Sequence, residues 1–95
     1  MSEVILNTER NRFELEIENQ IAFIEFDKIE PNILDFVHTE VPEEFSGKGI
    51  GSKLAKGALQ YSKGNNLKVI PSCPFIKTYI EKHSEWQPLL AKPRA

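Results

Sequence analysis

Hydrophobic and polar residues alternate from Phe13 to Glu18, with Phe13, Leu15 and Ile17 on one parity and Glu14, Glu16 and Glu18 on the other. A period of two gives one apolar and one wet face, so the spacing predicts a half-buried strand. Asn19 and Gln20 interrupt the pattern, and IAFIEF (Ile21 to Phe26) resumes it as a denser strand. The two are expected to pair as a hairpin, although the turn lacks an Asn-Gly signal. Pro31 and Asn32 mark the next turn, and ILDFVHTEV, from Ile33 to Val41, carries the apolar and β-branched residues of a third strand. Pro42 and the glutamates behind it close that strand.

The period changes after Gly51. Leu54, Ala55, Ala58, Leu59 and Ser62 recur at three- and four-residue spacing, while Lys53, Lys56 and Lys63 fall elsewhere, which predicts an amphipathic helix. Gly64, Asn65 and Asn66 supply its stop. LKVI then reads as a short strand ended by Pro71, and the run after Pro74, with Phe75, Ile76, Tyr79, Ile80 and His83, as a second helix. Three strands, a helix, a strand and a helix predict an α/β fold of the α+β kind, a mixed, mainly antiparallel sheet with helices packed on it. The 95 residues suffice for one domain spanning 1–95. Its core is small, which leaves a monomer or a weak homodimer as the expectation.

Composition narrows the partners. A net charge of −2, with twelve basic residues scattered along the chain, argues against nucleic acid or an anionic membrane surface. No segment approaches the apolar length of a membrane span. Cys73 is the single cysteine, so no intrachain disulfide and no cysteine-based metal cluster can form, and no metal site is expected. With no signal-like apolar run at the N-terminus, a reducing cytoplasm is the expected location.

The chemistry concentrates in FSGKGIGSKLAKGAL, where Gly47, Gly49 and Gly51 stand directly against the first predicted helix. Glycines let the backbone approach a ligand and take positive φ. A helix entrance so built gathers unpaired N–H groups on a positive dipole end, a match for phosphate or pyrophosphate. The bland alternative is a tight turn and nothing more. A Walker loop is excluded because no lysine precedes Ser52 at the required spacing, and the chain is too short for the usual dinucleotide domain.

In its wider setting, EVPEEFSGKGIGSKLAKGAL resembles motif A of the GCN5-related N-acetyltransferases, Gln/Arg-x-x-Gly-x-Gly/Ala, which binds the pyrophosphate of acetyl-CoA. The matching positions are Ser46, Gly47, Lys48, Gly49, Ile50 and Gly51, with Ser46 in place of the usual Gln or Arg. PSCPFIKTYIEKHSEW is similar to the compact subgroup of that family with a PxCPF segment, and the likeness runs from Phe13 to Trp86. The resemblance implies acetyl-CoA as cofactor and a small-molecule or peptide amine as acceptor. It also implies that Val41 and its neighbours line the pantetheine arm, and that the sheet splays open beside the glycine turn.

Four residues are candidates for catalysis. Cys73, just ahead of Pro74, is placed to cap the second helix, where the positive end favours thiolate and nucleophilic attack on a thioester. The alternative is a small buried hydrophobe. Tyr79 resembles the family tyrosine that protonates the departing thiolate, although His83 stands where that segment has glycine. A core aromatic is the competing role. His38 and Glu40 share one face of the third strand and suit proton removal from an amine, directly or through water. They suit a plain polar sheet face equally well. His83 reads as a helix C-terminal cap, and Trp86 as a tail anchor. Glu40, Glu43 and Glu44 form an acidic neighbourhood suited to a cationic amine or simply to solvent. The resulting expectation is an acetyl-CoA-dependent N-acetyltransferase, acting by direct attack or through Cys73. The alternative is a CoA-binding sensor or adaptor domain with weak chemistry or none.

Overall fold

The computed structural model describes residues 3–91. Five strands form one sheet in sequence order: β1 Ile5–Asn7, β2 Arg12–Ile17, β3 Gln20–Glu30, β4 Ile33–Glu40 and β5 Lys68–Ile70. All neighbours are antiparallel except β4 and β5, which run parallel across the crossover helix α1, Ile50–Gly64. Helix α2, Pro74–Lys82, comes after β5, and short 3-10 turns occupy Glu43–Phe45 and Ser84–Leu89. The α+β architecture expected from the sequence is the one found. One strand was not expected: β1 is only three residues long, too short for a legible alternation.

The period-two pattern of β2 sets the faces. Phe13 pairs with Ile24 and Leu15 with Ala22, all buried, while Arg12 pairs with Glu25 and Glu14 with Phe23 on the other side. Between these strands Glu18 and Asn19 take φ of 46° and 69°, so the hairpin has the two positive φ values of a I′ turn without glycine. Helix α1 buries the stripe its spacing predicted, Leu54, Ala55, Ala58, Leu59 and Ser62, and α2 adds Ile76, Tyr79 and Ile80 to the same core. The Ser62 hydroxyl is satisfied within the helix by donating to Ala58 O at 2.9 Å. Asn66, with φ of 58°, carries the left-handed residue behind α1. Leu67 N–H reaches back to Ser62 O at 2.8 Å, completing a Schellman stop. Trp86 is buried against the core, as a tail anchor should be.

Two irregularities in β4 set the surroundings of the glycine turn. Glu25 pairs with His38 and Phe26 with Phe36, so Val37 is an extra residue, a β-bulge. Before it Leu34 and Phe36 face the helices; after it Thr39, paired with the buried Ile24, takes the core side. His38 and Glu40 are thereby turned to the open face. On its other edge β4 pairs with β5 only from Ile33 to Asp35. One further bond, Cys73 N–H to Phe36 O at 2.8 Å, joins the two segments before they part. From Val37 onward the β5-side edge of β4 has no strand partner among the described residues, so the sheet forks there.

Candidate active site

The chain leaves β4 through Val41 and Pro42, makes the 3-10 turn Glu43–Phe45, and enters α1 through the glycines. Ser46 N–H bonds Glu43 O and Lys48 N–H bonds Phe45 O, which folds the loop tightly. Gly47 and Gly49 have φ of +81° and +77°, a region that costs other residues strain. Gly49 is the N-cap of α1 and offers no side chain to cap it. Consequently the N–H groups of Gly47, Gly49, Ile50, Gly51 and Ser52 have no acceptor among the described residues. They sit where the helix dipole is positive, with no acidic side chain in the first turn.

These residues line a cleft of about 310 Å³ with Val41, Phe45, Ser46 and Phe75. Gly51 plays a different part from its neighbours: a Cβ there would stand 2.7 Å from Phe75 Cζ. Its missing side chain is what lets the half-exposed Phe75 ring form the wall opposite the amides. Lys48 is outside this lining. Its amide is used within the turn, and its Nζ lies 5.9 Å from the centre of the Phe45 ring. Phe45, Ser52 and Phe75 were not singled out from the sequence, and the third glycine of the motif was the one signal pointing to Phe75.

Cys73 is the N-cap of α2 with Pro74 in its first turn, as its position beside proline foretold. It is buried, and its Sγ lies 3.4 Å from Thr39 Oγ1, on the helix side of the fork. Tyr79 is buried on α2; its ring stacks on His83 at 4.1 Å, and His83 Nδ1 contacts Tyr79 O at 2.8 Å. Burial pushes the Tyr79 phenol above its ordinary value, the Trp86 side chain opposes this by hydrogen bonding, and Glu85 adds to the rise. The group stays protonated at neutral pH. His38 Nε2 and Glu40 Oε1 are 2.9 Å apart on the open face, both exposed. The sheet therefore stands between this pair and the Cys73–Thr39 contact, and none of these side chains lines the glycine cleft.

A profile of the GCN5-related N-acetyl-transferase family matches residues 12–89, from the first long strand to the closing 3-10 turn. The chain belongs to that family. A solution structure of a GCN5-like protein from Staphylococcus aureus superposes with a TM-score of 0.72 at 32% identity, covering 99% of this chain and 94% of that one. The protein NATD1 of Gallus gallus is 34% identical over 62 residues, 65% of this chain and 56% of that protein. The human NATD1 protein matches at the same identity over 55% of its length. The match thus spans just over half the length of these curated relatives. The GCN5-related fold accounts for the parallel β4–β5 pair flanking a crossover helix, and acetyl-CoA is the usual cofactor of the family. The glycine turn of this member lies at the entrance of that helix, at the end of the unpaired strand edge.

Proposed function

We propose that this protein is an acetyl-CoA-dependent N-acetyltransferase acting on a small-molecule or peptide amine. One observation carries the proposal: Gly47, Gly49, Ile50, Gly51 and Ser52, whose amides are unpaired, line a cleft at the far end of the β4 edge that β5 leaves without a partner. A diphosphate fits such donors, because each brings a hydrogen bond that the fold leaves unmade. Acetyl-CoA, when bound, supplies an acetyl group activated as a thioester.

The chain's own residues divide the remaining work. The glycine-turn amides hold the diphosphate, with Ser46 beside them in the lining, and Phe75 closes the opposite wall. The free β4 edge from Val37 to Val41 offers peptide groups for pairing with the amides of the pantetheine arm. The fork opens onto both faces of the sheet. His38 and Glu40 occupy the open face, where an amine arriving on that side loses its proton. Tyr79 remains a phenol on the helix side and donates its proton to the departing sulfur. The amine nitrogen bonds the acyl carbon, the carbon–sulfur bond breaks, and the proton taken from nitrogen balances the one given to sulfur.

Cys73 supports a second route, because its sulfur sits at the positive end of α2 with a hydroxyl 3.4 Å away. Transfer would then pass through an acetyl-cysteine before the amine arrives. A CoA sensor or adaptor with little chemistry is favoured by another fact: no titratable side chain lines the described cleft. Incubating the protein with acetyl-CoA and a panel of amines, with CoA release and intact mass read together, tests all three. Acetylated amine with unmodified protein supports direct transfer, and an acetylated protein lost in Cys73→Ala supports the relay. CoA binding without consumption leaves the sensor.

A further inference from the structure

A second concavity lies at the opposite end of α1 from the glycine turn. The helix has 15 residues, so its ends are roughly 22 Å apart. This groove, of about 470 Å³, has a floor of Phe26 and Leu34, both buried, with Leu6, Leu67 and Tyr61 around it. Its size falls in the ordinary range for small-molecule sites.

Its polar side chains are one cation, Lys28, and four neutral groups able to donate, on Thr8, Asn11, Tyr61 and Asn65. Lys28 stands two positions beyond Phe26 on β3 and opposite Leu34, which puts a cation on the strand's helix-facing parity, where Ile24 and Phe26 are apolar. Lys28, Asn11, Thr8 and Tyr61 line the groove with exposed side chains whose polar groups have no hydrogen-bond or ion-pair partner among the described residues, while the Asn65 amide donates to Tyr61 O at 2.9 Å. No Asp or Glu lines it. An apolar floor with a cation and neutral donors at its rim selects an anion with an apolar body. A single lysine suits one negative charge, whereas a phosphate dianion calls for more.

We propose that this groove is a binding site for a small monocarboxylic acid, its carboxylate on Lys28, Asn11 and Thr8 and its hydrocarbon body against Phe26, Leu34 and Tyr61. The site is independent of the acetyl-CoA cleft. With Lys28, Asn11 and Thr8 exposed, the ion pair adds about two- to fivefold in affinity over the uncharged analogue.

The test is a heteronuclear NMR titration of the ¹⁵N-labelled chain with octanoate, octan-1-ol and octylamine, in wild type and Lys28→Gln. Octanoate is expected to bind saturably and shift the amides of Leu6, Thr8, Asn11, Tyr61 and Leu67, leaving Gly49 to Ser52 unmoved. It should bind about two- to fivefold tighter than octan-1-ol. Lys28→Gln, an exposed change that leaves the spectrum folded, should bring octanoate down to the alcohol. Equal binding of all three probes, shifts centred elsewhere, or no saturable shift in the millimolar range would each overturn the proposal.

Discussion

The Phe75 ring occupies the place where a side chain on Gly51 would stand, 2.7 Å from an ideal Cβ. Gly49, two residues earlier, has open space around it but a φ of +77°. The two glycines therefore answer to different constraints, one to a neighbour and one to its own backbone. Gly49→Ala is expected to lose about 1–2 kcal/mol through left-handed strain. Gly51→Ala should leave stability within about 1 kcal/mol, because the ring it meets is half exposed and free to turn aside, but it should weaken CoA binding. Urea unfolding and calorimetric titration of both variants check this. Equal stability losses would contradict it.

The Val37 bulge gives a second prediction. Val37 is the residue that β3 leaves unmatched, so deleting it joins Phe36 directly to His38 and keeps His38 and Glu40 on the open face and Thr39 on the core face. The deletion variant should therefore still unfold cooperatively by circular dichroism, as should Val37→Ala, which keeps the bulge. A deletion variant without a cooperative transition would contradict this reading of the bulge.

This bulge also marks where the sequence stopped being legible. The alternation in β2, the stripe of α1 and the Cys73–Pro74 cap each arise from local spacing, and each appears in the fold as read. Phe36 and Val37 are adjacent apolar residues between Asp35 and His38, so the polar positions change parity there, a signal that reading Ile33 to Val41 as one plain strand passed over. The fork depends on β5 ending at Ile70, a long-range pairing fact that one strand's composition cannot carry. Phe75 read as a helix residue at apolar spacing; its place against Gly51 needs the packing of α2 beside the start of α1. Strand β1 was too short to show a period, and the helix stop was legible as a cluster but not in its choice of Asn66 as the left-handed residue.

Tyr79 makes the stability depend on alkaline pH. Burial raises its pKa above the ordinary value of 10.0, so the folded chain holds this proton after the unfolded chain has released it. The stabilisation is complete below pH 10 and is lost as pH climbs through the higher folded value. Phenolate absorbance should show a titration step above pH 10 that Tyr79→Phe removes, and that variant should lose less stability between pH 9 and 11. A Tyr79 step below pH 10 would contradict the burial argument. In a transfer assay at pH 7, the same variant should lower kcat more than it changes CoA affinity.

Cys73 and Thr39 bear on the route of transfer. The thiol is buried with a hydroxyl beside it, and the sheet separates it from His38 and Glu40, the candidate bases. Direct attack is therefore the expected route. Cys73→Ala should retain most turnover, lose about 1 kcal/mol of stability, and leave the intact mass of the enzyme unchanged by acetyl-CoA. Accumulation of an acetylated wild-type chain without acceptor, absent in the variant, would establish the relay instead.

The central claim is that main-chain donors at the entrance of α1 grip a diphosphate. The most direct measurement tracks the amide resonances of Gly47, Gly49, Ile50, Gly51 and Ser52 while CoA is added, with pantetheine as the matched ligand lacking the diphosphate. CoA should shift these amides and bind at least about tenfold tighter than pantetheine. If they stay unmoved while CoA binds, or if pantetheine binds equally well, the glycine turn is not the anchor.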